Sequence, residues 1–209
     1  MGRPAGRRSD DYEDKRRALA HAVYQSLIDD ATISWSAMAE RAGVSRPTLT
    51  HYFGDRHGAV RAALTVAASE GRRFLGHIVT MPSEDPEQTL TLLLTLIVVT
   101  WRDRGVGRLH DVGIQTGLGD PDSARCYLTE IQDPLVESIQ HLLERMVTEG
   151  RLRHPHPRQG ALQLLGPVVL ALLHQNGLKG RHLSPLDEDA LARETARGFV
   201  AAYGVPSAP

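Results

Sequence analysis

The chain has 209 residues, of which 41% are hydrophobic and 5% aromatic, and its formal net charge is −1. This length is sufficient for the core of one domain, or of one small domain joined to a larger one. The near-zero net charge does not by itself indicate nucleic-acid binding. Cys126 is the only cysteine, which excludes an intrachain disulfide and a cysteine-based zinc cluster.

The composition favours helices throughout the chain. Ala and Leu are plentiful and few segments alternate with a period of two, so we expect an all-α fold of about nine helices. The first residues lack the apolar core of a secretory signal. The longest apolar run, Leu90–Trp101, has 12 residues, whereas a membrane-spanning helix needs about 20. We therefore expect a cytoplasmic protein with a buried helix at this run and no membrane partner.

The N-terminal part is predicted to form a tail and two helices. Residues 1–9 are rich in Gly, Pro and Arg, which is typical of a disordered basic tail. A first helix is expected from residue 10 to about residue 28. Ser34 can cap a second helix, because its hydroxyl can accept a backbone N–H of the first turn. Gly43 lies where the second helix would end, since glycine takes a positive φ at little steric cost.

A third, short helix is expected directly after this turn. Ser45 or Arg46 can cap it, and Pro47 fits its first turn, where the missing N–H removes no helical hydrogen bond. Leu49 and Phe53 are four residues apart, so they can anchor one side of the helix to the core. Together with the second helix, this arrangement predicts a helix-turn-helix.

The outward positions of the third helix carry polar groups suited to the major groove of DNA. The Arg46 guanidinium can donate two hydrogen bonds to guanine, and Pro47 and the methyl group of Thr48 can contact thymine methyl groups. Thr50 follows on the same arc, as does His51, for which base and phosphate contacts are equally good interpretations.

Two further side chains near this helix are candidates for phosphate contacts, namely Tyr52 and Arg56. The charge distribution has the matching sign. Residues 1–73 contain twelve Lys and Arg against nine Asp and Glu, net +3, whereas residues 74–209 contain twelve against sixteen, net −4. Chance variation explains a difference of this size nearly as well, so the helix-turn-helix carries the DNA-binding interpretation.

The run Ala39–Arg56 (AERAGVSRPTLTHYFGDR) resembles the signature of TetR-type, tetracycline-repressor-like transcriptional regulators, and the match covers about residues 12–65. The resemblance implies an all-α homodimer with an N-terminal three-helix DNA-binding head and a C-terminal helical body. By this resemblance, the body binds a small molecule and dimerises through its last two long helices. The DNA-binding candidates are Ser36, Arg46, Pro47, Thr48, Thr50, His51, Tyr52 and Arg56, together with Ser45 at the start of the third helix.

The chain departs from the family pattern at two positions. Members usually carry Tyr where this chain has Thr50, and that Tyr commonly contacts a phosphate. An acidic residue usually follows the basic one at Arg56, but here His57 follows it. Neither departure changes the prediction of a helix-turn-helix.

The remaining sequence predicts helices at about 86–103, 107–117, 121–150, 158–178 and 187–203. We assign residues 10–60 to the DNA-binding domain and 61–209 to the effector-binding and dimerisation domain. Leu165-Gly166-Pro167 and the apolar residues after it resemble the start of the first dimerisation helix of the family. The dimerisation candidates are Leu165, Val169, Leu172, Leu173, Phe199 and Val200.

An effector pocket is expected among the helices of the body, which in this family can line a cavity for a small and largely apolar molecule. Each single residue is more often a packed core residue than a ligand contact. The candidates are Phe74, Ile78, Trp101, Cys126, Tyr127, His141 and His174.

We find no catalytic motif, no metal site and no cofactor site. His154 and His156 alternate with Pro155 and Pro157, and two histidines without a further ligand rarely bind a metal. The sequence therefore predicts a dimeric, ligand-responsive repressor. We expect a small molecule to release it from a palindromic operator. A DNA-binding or architectural protein without an effector is the alternative, and a helical enzyme is a remote one.

Overall fold

The computed structural model describes the backbone of residues 5–153 and 156–205, and side chains from residue 11 onward within these ranges. Helices dominate this part of the chain, which confirms the all-α prediction. The ten α-helices of the described residues are α1 (Ala5–Asp29), α2 (Trp35–Arg41), α3 (Arg46–Phe53), α4 (Arg56–Val79), α5 (Pro86–Asp103), α6 (Val106–Gly117), α7 (Pro121–Tyr127), α8 (Asp133–Thr148), α9 (Pro157–Leu172) and α10 (Glu188–Tyr203). None of them is long and apolar enough to cross a membrane.

Two helical segments differ from the predictions. Helix α1 begins at Ala5, so residues 5–9 are helical where a disordered tail was expected, while residues 1–4 lie outside the described residues. The helix expected over 121–150 is divided by a π-helical segment, Leu128–Gln132. Pro134 is the second residue after this segment. A proline has no N–H and crowds the carbonyl one turn earlier, which interrupts the α-helical ladder.

The described residues pack into two units. The first contains the chain up to Glu70 and residues 108–131, and the second contains residues 71–107 and the chain from Gln132 onward. The division at residue 70 falls within α4, ten residues beyond the predicted domain boundary. The assignment of residues 108–131 differs more, because α6 and α7 pack with the N-terminal helices.

The core of the first unit explains why α6 and α7 belong to it. Leu27 of α1 and Leu49 of α3 are fully buried in this core, and Leu109, Val112 and Tyr127 join the same apolar cluster. Burial of such side chains stabilises by about 1.5–3 kcal/mol each. These long-range contacts place two helices of the predicted body in the same unit as the predicted head.

Polar contacts reinforce this packing. The Arg108 guanidinium of α6 donates to the carbonyls of Ile28 and Asp29 at the C-terminal end of α1. At the start of α7, the Asp120 carboxylate accepts hydrogen bonds at 2.9 Å from the Arg61 guanidinium of α4 and at 2.5 Å from the Ser123 hydroxyl. The Arg108 bonds satisfy carbonyls at the end of α1 that lack an intrahelical partner, and the Asp120 carboxylate also accepts the Ser123 N–H in the first turn of α7 at 2.9 Å.

The second unit has its own core, which α5, α8, α9 and α10 form. The apolar run Leu90–Trp101 supplies the buried side of α5, with Leu93 and Leu94 at 0% exposure, although Leu92 within the run is 48% exposed. Ile139 of α8 and Leu164 of α9 are equally buried and belong to the same cluster.

Candidate DNA-binding interface

A glycine turn joins α2 to α3. Gly43 has a φ of 66°, which confirms the predicted positive φ. The Gly43 N–H donates to the Glu40 carbonyl at 2.9 Å, and the Val44 N–H donates to the Ala39 carbonyl at 3.1 Å. These bonds satisfy the last carbonyls of α2 and fix the angle at which the chain enters α3.

Serine side chains cap both helices. The Ser34 hydroxyl accepts the Ala37 N–H at 3.2 Å, as predicted for α2. Of the two candidates for the cap of α3, the structure selects Ser45, whose hydroxyl accepts the Thr48 N–H at 3.2 Å and lies 2.8 Å from the Thr48 hydroxyl. The hydroxyls of Ser45 and Thr48 are therefore bonded to each other within the protein.

One side of α3 is buried and the opposite side is open. Leu49 is 0% and Phe53 8% exposed, which confirms the predicted anchors. The Arg16 guanidinium of α1 lies 5.8 Å from the centroid of the Phe53 ring, a cation–π contact that holds the end of α3. Among the DNA-binding candidates, the exposed residues are Ser36, Ser45, Arg46, Pro47, Thr50 and His51, and the half-buried ones are Thr48, Tyr52 and Arg56.

The two arginines near α3 differ in what they contact. Arg56, at the start of α4, donates to the Ala31 carbonyl at 3.2 Å, so part of its guanidinium supports the loop before α2. The guanidinium of Arg46 makes no hydrogen bond or ion pair with the described part of the chain, and the residue is exposed. Its guanidinium is therefore available for a bidentate contact with a base or a phosphate.

An aromatic contact near α3 was missed by the sequence analysis. The ring of Tyr12 in α1 stacks on the ring of Tyr52, with 4.8 Å between centroids and 24° between planes. The signal that could have identified it is spacing, because Tyr12 precedes the buried Leu19 by seven residues and therefore lies on the same face of α1.

The effector candidates divide between the two units. Phe74, Ile78, Trp101, His141 and His174 belong to the second unit, whereas Cys126 and Tyr127 belong to the first. Ile78 and Trp101 are buried in the core of the second unit, against which the half-buried Phe74 packs. His141 and His174 are exposed. The structure therefore does not bring the seven residues together in one unit.

Tyr127 has a specific partner within the first unit. Its hydroxyl lies 2.7 Å from Nδ1 of His110, which is buried. Burial lowers the pKa of His110 to about 4 and raises the pKa of Tyr127 to about 12. Both groups are therefore neutral near pH 7 and form a neutral hydrogen bond between α6 and α7.

The dimerisation candidates lie partly inside the second unit. Leu165 is 6%, Leu172 0% and Phe199 7% exposed, because their side chains pack into the core. Val169, Leu173 and Val200 are half-buried against the same core. The outward side of α9 instead carries Leu162, Gly166 and Leu170, and the outward side of α10 carries Arg197, Gly198, Ala201 and Ala202.

The described residues contain no group of three or more His, Cys, Asp or Glu side chains that could hold a metal ion. His154 of the paired histidines lies outside the described residues. The expectation that this pair binds no metal therefore stays a prediction.

Comparison with known proteins identifies the family. A family profile described as "AefR-like transcriptional repressor, C-terminal domain" matches residues 88–205. The HTH-type transcriptional regulator BetI of Escherichia coli O157:H7 is 26% identical over 197 residues, which cover 89% of this chain and 92% of BetI. These relatives are transcriptional regulators and not enzymes.

Solved structures share the fold. A Mesorhizobium loti MAFF303099 protein described as a TetR-family transcriptional regulator superposes with a TM-score of 0.75 at 20% identity, covering 93% of this chain and 98% of that one. Thermus thermophilus FadR, a TetR-family repressor in complex with lauroyl-CoA, superposes with a TM-score of 0.63 at 18% identity, covering 93% and 97%. The chain is a DNA-binding transcriptional regulator that belongs to the TetR family.

Proposed function

We propose that the protein is a homodimeric repressor that binds a palindromic operator and is released from it by a small-molecule effector. The observation that carries the DNA-binding part is the exposed surface of α3, where Arg46, Thr50 and His51 are exposed while the anchors Leu49 and Phe53 are buried. A helix with polar groups near its N-terminus on one side and a fixed core on the other fits the major groove. Residues 10–60 act as the DNA-binding domain and residues 61–209 as the effector and dimerisation domain.

The dimer forms through the outward sides of α9 and α10. Leu162 is 47% and Leu170 69% exposed on α9, so both offer apolar surface to a partner. A Cβ atom built at Gly166 or at Gly198 meets no atom within 4 Å, so both glycines face open space. Small residues on exposed helix faces let a partner helix approach closely, and two helices from each subunit make a four-helix interface.

The effector binds in the body and changes the separation of the two heads. Repression is lost because the heads then no longer match successive major grooves, which lie about 34 Å apart. The effector can shift the equilibrium between the arrangement of heads that fits the operator and the one that does not only as far as its affinities for these two states differ. FadR, whose fold is similar, is in complex with lauroyl-CoA, and Phe74, Ile78 and Trp101 supply an apolar environment in the second unit. A molecule with a long apolar chain is the first class to examine.

The proposal is tested with the purified full-length chain and a duplex from the DNA that flanks its own gene. We expect salt-sensitive binding with two subunits in each complex, because phosphate contacts release counterions. Addition of lauroyl-CoA and other acyl-CoA thioesters examines effector release. Absence of salt-sensitive DNA binding contradicts the proposal, whereas binding that no compound of an apolar effector library relieves supports a regulator without an effector.

A further inference from the structure

Three aromatic rings connect α1 to the outward side of α3. Tyr12 of α1 stacks on Tyr52 at 4.8 Å and meets the ring of His51 edge-on at 5.9 Å and 88°. His51 and Tyr52 also contact each other, at 5.3 Å and 78°. Each ring therefore touches the other two, and we call this group the aromatic trio.

The contacts that Tyr12 makes with His51 and Tyr52 are additional to those that hold α3 to the core. Leu49 and Phe53 are buried on the inner side of the helix, whereas His51 is exposed and Tyr12 and Tyr52 are half-buried. The core already fixes the backbone of α3 without Tyr12. What Tyr12 adds is a restriction on the rings of His51, which is exposed, and of Tyr52, which is half-buried at the edge of the core.

Such a restriction affects binding more than folding. A histidine or tyrosine ring at the surface loses rotamer freedom when it becomes ordered against a ligand, and this loss weakens binding. A stacked ring and an edge-on ring restrict that freedom before the ligand arrives. His51 and Tyr52 are thus held in one arrangement on the surface that faces DNA in the proposed function.

We propose that Tyr12 is a positioning residue of the DNA interface, which orders His51 and Tyr52 for contact with the operator. The inference rests on the proposed function, because it assumes that the outward side of α3 meets DNA. It extends the interface to α1. This helix contributes no residue to the helix-turn-helix motif or to the DNA-binding candidates. Tyr12 acts through the two rings that it touches, and its phenol ring rather than its hydroxyl is the active part.

The test uses the full-length chain and a palindromic duplex that the wild-type protein enriches from a random-sequence library. Tyr12→Ala removes the ring, whereas Tyr12→Phe keeps the ring and removes the hydroxyl. We expect Tyr12→Ala, with two substituted subunits in the complex, to bind the duplex about tenfold more weakly than the wild type. The affinity of Tyr12→Phe should lie within about twofold of the wild-type value. The base preference at the position nearest to His51 also becomes broader in Tyr12→Ala.

A matched control is available on the same helix. His21 meets Tyr24 edge-on at 6.0 Å and 77° and lies 3.4 Å from Glu70, away from α3. His21→Ala therefore removes an aromatic contact of the same kind, and we expect it to leave affinity for the duplex unchanged. Denaturant unfolding of all three variants identifies any loss of affinity that follows from a less stable head.

A double-variant cycle measures whether Tyr12 acts through His51. The loss caused by Tyr12→Ala should become clearly smaller in a His51→Ala background, because one of the ordered rings is then absent. Wild-type affinity in a folded Tyr12→Ala protein overturns the inference. A loss of affinity in Tyr12→Phe as large as that in Tyr12→Ala also overturns it, because the effect would then come from the hydroxyl. If the wild-type protein itself enriches no duplex, the proposed function fails instead, so the two failures are distinguishable.

Discussion

Residues on the outward side of α3 differ in how their polar groups are already used. The hydroxyls of Ser45 and Thr48 bond each other, and Arg56 donates to a backbone carbonyl of the loop before α2. Arg46, by contrast, is exposed, and its guanidinium makes no hydrogen bond or ion pair with the described residues. Arg46 is therefore the best candidate for base recognition, and Arg56 for a contact that does not depend on sequence.

Replacement of Arg46 tests this assignment. We expect Arg46→Ala to cost about 1–3 kcal/mol of binding free energy and to relax the preference at one base pair of each half-site, because a bidentate contact is lost. The measurement is the affinity for the operator and for its set of single-base variants.

Two further variants complete the comparison. Arg56→Ala should weaken binding to all sequences alike and lower the slope of affinity against salt concentration. Arg125→Ala removes an exposed arginine of α7 and should change neither quantity. Identical behaviour of Arg46→Ala and Arg56→Ala across all duplexes would show that the two roles are assigned wrongly.

The buried His110 makes stability depend on pH. Its pKa falls from 6.5 to about 4 on folding because burial disfavours the charged ring. Between pH 6.5 and about 4, His110 therefore binds a proton in the unfolded chain but not in the folded chain. The free energy of unfolding decreases as the pH falls through this range. Between pH 7.5 and 5.5 the expected loss is about 1 kcal/mol.

Denaturant unfolding at both pH values checks this expectation. His110→Gln keeps an amide that can bond the Tyr127 hydroxyl but does not titrate, so it should lose less stability between pH 7.5 and 5.5 than the wild type. His141→Gln substitutes an exposed histidine and serves as the control. The same pH dependence in His110→Gln and wild type would exclude His110 as the cause.

The elements of the head follow from local signals, and the sequence predicts them well. The Ser34 cap, the Gly43 turn and the pair Leu49 and Phe53 each depend on residues within one or two helical turns, and the structure contains all of them. Where the cap had two candidates, only the geometry separated Ser45 from Arg46.

Removal of the cap of α3 should therefore destabilise the head. We expect Ser45→Ala to lower the free energy of unfolding by about 1 kcal/mol, because the Thr48 N–H loses its acceptor. Ser36→Ala removes a neighbouring exposed serine that caps no helix and should change stability by less than about 0.5 kcal/mol. Equal stability of the Ser45→Ala protein and the wild type would mean that solvent replaces the cap at no cost.

Helix α9 illustrates what periodicity cannot decide. It carries leucines on two sides, with Leu165 and Leu172 in the core and Leu162 and Leu170 exposed. An apolar residue at a regular spacing indicates a packed face, but the sequence does not say whether its partner is the same chain or a second copy. The structure assigns Leu165 to the subunit core and leaves Leu162 and Leu170 exposed.

At the scale of the whole molecule, some helices that pack together are far apart in the sequence. Helices α6 and α7 belong to the unit that contains the head, because Leu109 and Tyr127 contact residues far away in the sequence. No local pattern marks such contacts, so the effector candidates Cys126 and Tyr127 were grouped with residues of the other unit. Long-range packing is the part of the fold that the sequence did not predict.

The proposed dimer makes a prediction at this scale. Leu170→Glu puts a charge on the outward side of α9, which costs several kcal/mol if a partner subunit buries it. We expect sedimentation to detect monomers at concentrations where the wild type is dimeric, and operator binding to weaken with them. Leu118→Glu alters a leucine that is 87% exposed outside α9 and α10 and should leave the dimer intact. An unchanged Leu170→Glu dimer would place the interface elsewhere.

The most direct test of the central claim is selection of duplexes from a random-sequence library by the wild-type protein. We predict enrichment of one palindrome whose half-sites have centres about 34 Å apart, or one helical turn, since each subunit places one α3 in a major groove. Binding to it should fall steeply with salt. No enrichment, or enrichment of a single unpaired half-site by a dimeric protein, would contradict the account.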